Sequence, residues 1–325
     1  MNSVKVACDT YLKNMFPCRR MYAKTKFPPV VTPLLPPGTF ENKIAFITGG
    51  GTGIGKGMAK MLAKLGANVA IVSRKQDVLE ATAKEIGDKT HRKILPVAAD
   101  VRDPAAIAAA VDKCELELGL PSIVINNAAG NFISPTEKLS PNAWKTIVDI
   151  VLNGTAFVTL EIGKRLIRAD LGANFLAISA TYTNFGSGFV APSCAAKSGV
   201  EALTMSLASE WGKYGMRFNC ISPGVVYTKG AHSRLDPEGI FTKTAIEGPI
   251  ERAGEIAEVA NLAAYLVSDY SSWLTGEVIR LDGGHLNYIA SDFNKLSNID
   301  EKKMGGIRSC NPEYEGLLIL VYGCH

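Results

Sequence analysis

The sequence predicts a single doubly wound α/β domain built on a parallel sheet, and three observations predict it. Short apolar runs alternate with amphipathic stretches from about Phe40 onward. The runs are continuously apolar instead of alternating, as strands covered on both faces are. The first of them passes straight into a glycine cluster and then a helical pattern, the sequence of a phosphate-binding β–α turn.

Residues 44–48 read as the first strand and 55–65 as the helix that follows. A second strand at 69–73 and helix at 77–86 complete the first repeat. Further strands fall at 94–98, 123–126, 175–179 and 218–222, with helices at 104–117, 141–169 and 195–212 between them. A helix at 255–268 precedes the closing strand at 278–281. The domain therefore runs over 40–296. The segment 225–252 breaks the rhythm and is expected to form a helical flap over the substrate. Prolines at 28, 29, 33, 36 and 37 mark 28–39 as an extended linker, because proline fixes φ and donates no hydrogen bond. The tail 297–325 differs in character, with a lone apolar run at 317–322, and is expected to be poorly ordered.

The formal charge of +4 gathers at the N-terminus, where Lys5, Lys13, Arg19, Arg20, Lys24 and Lys26 face only Asp9. The rest is nearly neutral, which argues against a nucleic-acid partner. Residues 1–27 have the basic, almost acid-free composition of a mitochondrial transit peptide. Within them Arg20-Met21-Tyr22-Ala23 resembles a matrix-peptidase site, so the mitochondrial matrix is the expected compartment. No run reaches the ~18 apolar residues of a transmembrane span. The seven cysteines are scattered, odd in number and never spaced CxxC, and the four histidines are dispersed. Neither a disulfide framework nor a metal site is expected, and a reducing compartment fits.

The cofactor site is written in Thr48-Gly49-Gly50-Gly51-Thr52-Gly53-Ile54-Gly55. Glycines let the chain turn tightly and bring a pyrophosphate against backbone at a helix N-terminus. The second strand ends Ser73-Arg74-Lys75 with no acid at its tip, which favours a ribose 2′-phosphate and hence NADPH. The spacing of Gly49, Gly53 and Gly55 resembles the TGxxxGxG form of short-chain dehydrogenases/reductases, a Rossmann-type family. Asp100, the run Asn126-Asn127-Ala128-Ala129-Gly130, the turn Pro223-Gly224-Val225-Val226 with Thr228, and Asp282-Gly283-Gly284 resemble further motifs of it. The resemblance implies that Asp100 bonds adenine and that residues 223–228 lie beside the nicotinamide.

The family's catalytic YxxxK pattern is broken. Lys197 is present, but Ser193 stands where the Tyr belongs, and Ala180 stands where the family has Ser. A serine hydroxyl is a poor proton donor beside a phenol. Tyr182, just past the fifth strand, and the amide of Asn131 could instead hold a thioester oxygen. This arrangement resembles the 2,4-dienoyl-CoA reductases, whose Tyr lies fifteen residues before the Lys; the runs 126–132, 139–163 and 212–218 resemble the mitochondrial form. The resemblance implies that Tyr182, Lys197, Asn131 and Ser193 are catalytic. It also implies that Arg74, Arg102, Phe132, Ser140 and Arg234 contact an acyl-CoA, that Asn153 keeps a water near Lys197, and that the long helices build a homotetramer. The implied role is β-oxidation of unsaturated fatty acids. Two rival readings stand beside it: a non-catalytic NADPH-binding protein, and a 2-enoyl or carbonyl reductase of the same fold.

Overall fold

The computed structural model describes residues 26–228, 236 and 238–298. Among them, seven strands form one parallel sheet in the order β3-β2-β1-β4-β5-β6-β7. The strands are β1 (Ile44–Thr48), β2 (Asn68–Ser73), β3 (Ile94–Ala98), β4 (Ile123–Asn126), β5 (Ala173–Ile178), β6 (Met216–Pro223) and β7 (Val278–Leu281). Because side chains alternate across a strand, Ala45 and Ile47 face one helical layer and Phe46 the other, and all three are fully buried.

On the first face pack α1 (Gly53–Lys64), α2 (Gln76–Thr90) and α7 (Ile256–Leu266), around Met58, Leu62, Leu79, Ile86 and Val259. On the second lie α3 (Pro104–Glu117), α4 (Pro141–Arg168) and α5 (Ala191–Trp211), around Ile107, Val111, Val158, Ile162 and Trp211. Strand order reverses between β1 and β4, and the helices that follow these two neighbours, α1 and α4, cover opposite faces, which leaves a crevice at the carboxyl ends of the strands. Among the described residues two short helices follow, α6 (Ile240–Glu247) in the expected flap and α8 (His285–Ile289) after β7.

The long helix is less regular than its periodicity suggests. α4 opens at Pro141, with Ser140 Oγ accepting from Ala143 N at 3.1 Å, and widens into a π turn over Asp149–Asn153. Asn153 Nδ2 donates to Asp149 Oδ1 at 2.8 Å inside that turn. By length and composition alone α4 could cross a membrane; 44% of its most apolar window is buried in this fold, as in the core helix of a sheet-covered layer.

The proline-rich stretch is not a free spacer. Asn261 on α7 accepts from Leu34 N and donates to Thr32 O, both at 2.9 Å. Leu35 is buried, and Arg252 Nε donates to Phe27 O at 2.8 Å. The prolines supply a stiff extended shape that docks, because unlike a solvated linker this one carries Leu35 into the core. The expected transit peptide (apart from Lys26 and Phe27), Arg234 and the tail from 299 lie outside the described residues.

Candidate active site

The loops at the carboxyl ends of β1, β2, β4, β5 and β6 bring most of the expected residues to one crevice. The first loop fits a pyrophosphate. Gly49 and Gly53 have φ of 65° and 53°, which L side chains avoid. A Cβ on Gly50 would stand 2.8 Å from Ile71, and one on Gly55 would overlap the Gly49 carbonyl. Gly51 O accepts from Thr82 Oγ1 at 2.9 Å, pinning the loop to α2. Thr52 begins α1 with no side-chain cap and no acid in the first turn, so the backbone N–H groups and helix dipole there favour an anion. Ile54 packs into the core behind them. Thr228 closes over the turn, its methyl 3.7 Å from where a Gly53 Cβ would be. Val225 O accepts from Gly254 N at 2.9 Å and Val226 bridges to Gly254, tying the 223–228 turn to the start of α7.

Arg74 and Lys75 stand exposed at the tip of β2, as a 2′-phosphate site requires. Arg102, expected against acyl-CoA, is exposed and pairs with Asp100: Nε lies 3.0 Å from Oδ1 and Nη2 2.6 Å from Oδ2. Its guanidinium holds the Asp100 carboxyl below the usual carboxylate range. Ser140 caps α4, and Phe132 is half-buried against Ile147, Val151 and Ala196. These two expected acyl-CoA contacts therefore have structural duties of their own.

The residues expected to be catalytic come from two loops and one helix. Thr48 Oγ1 accepts from Asn127 N and Ala128 N, both at 3.0 Å, and so fixes the strand-end turn that leads to Asn131. Asn131 Oδ1 accepts from Phe132 N at 2.9 Å, which orients the amide and leaves its Nδ2 hydrogens to donate. Tyr182 sits in a single 3₁₀ turn, Thr181–Thr183, after β5. Its hydroxyl lies 2.8 Å from the Oγ of Ser193, which is buried in the first turn of α5. One turn further, the buried Lys197 donates from Nζ to Ile178 O. Burial pulls the Lys197 ammonium down to about 8, with Cys220 and Glu201 acting the other way. Burial pushes the Tyr182 phenol up, and the Ser193 hydrogen bond offsets this only in part.

Sequence reasoning passed over Glu201. Its Oε1 accepts from Ser179 Oγ and, at 2.9 Å, from Thr183 Oγ1. The available signal was its position four residues after Lys197 on one helix face. A cleft of 730 Å³ between Phe40, Asn174, Arg217 and Trp273 opens at the amino ends of the strands, away from this chemistry.

A phenol, an amide donor and a buried ammonium together suit charge stabilisation on a substrate oxygen. Comparison with known proteins agrees with an oxidoreductase. Residues 49–285 match a family described as Enoyl-(Acyl carrier protein) reductase. A Caenorhabditis elegans protein named probable 2,4-dienoyl-CoA reductase 3 [(3E)-enoyl-CoA-producing] is 44% identical over 88% of this chain and 94% of its own. The peroxisomal 2,4-dienoyl-CoA reductase [(3E)-enoyl-CoA-producing] of Danio rerio is 37% identical over 82% of this chain and 89% of its own. Among solved structures, a short chain dehydrogenase from Bacillus anthracis is 40% identical, covers 75% of this chain and 96% of its own, and superposes with a TM-score of 0.69.

Proposed function

Because this chain belongs to the short-chain dehydrogenase/reductase family, whose members use a nicotinamide cofactor, we propose that it is an NADPH-dependent 2,4-dienoyl-CoA reductase that forms a 3-enoyl-CoA. One observation carries the reading. The Tyr182 hydroxyl reaches to within 2.8 Å of Ser193, the residue that stands four before Lys197. The phenol missing from the YxxxK position is thus supplied to that place from the opposite loop.

The reaction needs what this site offers. NADPH, when bound, supplies a hydride to C5 of the dienoyl chain. The glycine loop and the α1 N-terminus receive its phosphates, and Arg74 and Lys75 its 2′-phosphate. Lys197 keeps one hydrogen for Ile178 O and has two to donate toward the ribose. Charge then spreads along the diene to the thioester oxygen, where Asn131 Nδ2 and the Tyr182 hydroxyl donate to it. For the phenol to donate outward, Ser193 must donate to it, and Ser193 can. A proton delivered to the α-carbon by Tyr182 or a water completes the product, leaving the double bond between C3 and C4. Because the charge is delocalised and no isolated alkoxide forms, the proton donor need not stand where a carbonyl reductase has it.

The relatives' names place one of them in peroxisomes. Here the basic residues before Lys26 and the Arg20-Met21-Tyr22-Ala23 run support delivery to the mitochondrial matrix, testable by fusing residues 1–27 to a reporter. The length of α4 and α5 supports assembly as a homotetramer, testable by light scattering. The decisive assay follows NADPH absorbance with 2,4-decadienoyl-CoA, wild type against Tyr182→Phe. The expected result is turnover by the wild type and a loss of about 10²–10⁴-fold in the variant. Bound NADPH without turnover would leave a non-catalytic binding protein, and faster turnover of ketones or 2-enoyl thioesters a different reductase.

A further inference from the structure

Three residues on one face of α5, each four apart, all reach the segment that leaves β5. Ser193 meets the Tyr182 hydroxyl, Lys197 holds Ile178 O, and Glu201 Oε1 accepts from both Ser179 and Thr183. Residues four apart on a helix stack along one side, so the three form a ladder. The outermost rung holds the two hydroxyls that bracket Ala180, Thr181 and Tyr182.

The bracketed turn is weakly supported by itself. Thr183 N and Asn184 N reach Ala180 O and Thr181 O only at 3.3 Å, and Gly186 N reaches Tyr182 O at 2.9 Å. A single 3₁₀ turn has poor hydrogen-bond geometry. Thr183 Oγ1 divides its one proton between Ala180 O and Glu201 Oε1, each at 2.9 Å. Ala180 has no hydroxyl of its own to add. Bonds to an ionised carboxylate are shorter and stronger than neutral ones, and here they join the turn to a long rigid helix. Unlike an acid on a solvated helix face, Glu201 is half-buried and spends one oxygen on this turn.

We infer that Glu201 is the positioning residue for Tyr182, holding the turn from both sides so that the phenol meets Ser193 and the substrate oxygen. The inference takes the identity of the reaction from the dienoyl-CoA reading, but the placement of the turn is independent of it. Glu201 touches neither cofactor nor substrate in this role; it acts through Ser179 and Thr183.

The test compares Glu201→Ala, Glu201→Gln and Thr183→Val in the full chain. Glutamine keeps an acceptor oxygen in place and drops the charge; alanine drops both. Expected for Glu201→Ala is a fall in kcat of about tenfold to hundredfold, the scale of a misplaced catalytic group, with little change in KM for 2,4-decadienoyl-CoA or in NADPH affinity. Glu201→Gln should recover most of that loss, and Thr183→Val should fall between. Amide exchange measured by mass spectrometry on the peptide covering 179–186 should speed up in Glu201→Ala and return toward wild type in Glu201→Gln. Wild-type kcat and wild-type exchange in Glu201→Ala overturn the inference, as does a Gln variant no better than Ala. If the wild type fails to reduce the dienoyl-CoA, the functional reading falls, and the exchange measurement still decides the role of Glu201.

Discussion

At the level of single residues, fixed spacings in the sequence point to Tyr182, Lys197 and Ser193, and the fold sets the first and last of these 2.8 Å apart. Glu201 stayed hidden because an acid in a helical pattern reads as a solvated face; only the fold shows Ser179 and Thr183 turned toward it. Arg102 and Asp100 have a similar lesson: their ion pair is two residues apart in sequence, yet a family pattern assigns them to different ligands. The burial of Lys197 leads to a pH prediction. Its ammonium titrates near 8, below the ordinary 10.5, while the Tyr182 phenol is raised, so Tyr182 remains a proton donor throughout the range in which Lys197 loses its charge. The kcat/KM profile should therefore fall on its alkaline side with an apparent pKa near 8, since that ratio reports the free enzyme. Lys197→Arg, which stays charged, should move that limb well upward even if its maximum is lower; an unmoved limb would assign it to another group. Stability has the opposite sign: between about 8 and 10.5 the unfolded chain binds the Lys197 proton more tightly, so this residue makes the fold more stable as pH rises through that window.

Among the elements, strands were the most legible because a sheet buried on both sides leaves uninterrupted apolar runs; β1, β3, β4 and β7 lie where the runs predict. The π turn in α4 was not legible as such, since an extra residue in one helical turn leaves the flanking periodicity nearly intact. Asn153 was the only hint, and it bonds Asp149 within the turn. Close packing of α4 on α5 depends equally on single residues. A Cβ on Gly163 would overlap the Trp211 ring, which in turn stands edge-on to Phe218 at 6.0 Å. Trp211 is buried and cannot swing away. Overpacking at such a contact costs about 1–3 kcal/mol. Gly163→Ala should thus lower Tm by several degrees, at roughly 2–4 °C per kcal/mol for a domain of this size. Both helices carry site residues only near their other turns, so kcat at 25 °C should be unchanged. A melt identical to wild type would mean that the helices have room to part.

For the whole molecule, the surprise is where the folded body begins. The prolines before Phe40 read as a spacer because composition reports stiffness but says nothing of what a stiff segment meets. Its partner is Asn261, 227 residues further along the chain from Leu34, and no local pattern can announce a contact of that span. Asn261 serves the segment with both ends of its amide, and Leu35 enters the core beside it. Burying a leucine contributes about 1.5–3 kcal/mol at most, and each net hydrogen bond about 1 kcal/mol. A chain beginning at Thr39 should therefore be less stable by roughly 2–4 kcal/mol. The two changes must also interact, because residues that share a contact are not additive. Asn261→Ala should destabilise the longer chain, where it breaks both bonds to Thr32 and Leu34, and should cost little in the chain beginning at Thr39, where the amide has water instead. Denaturant unfolding of the four proteins measures this directly. An equal cost of Asn261→Ala in both lengths would show that Asn261 stabilises α7 itself, and that the prolines lie against the body without being held by it.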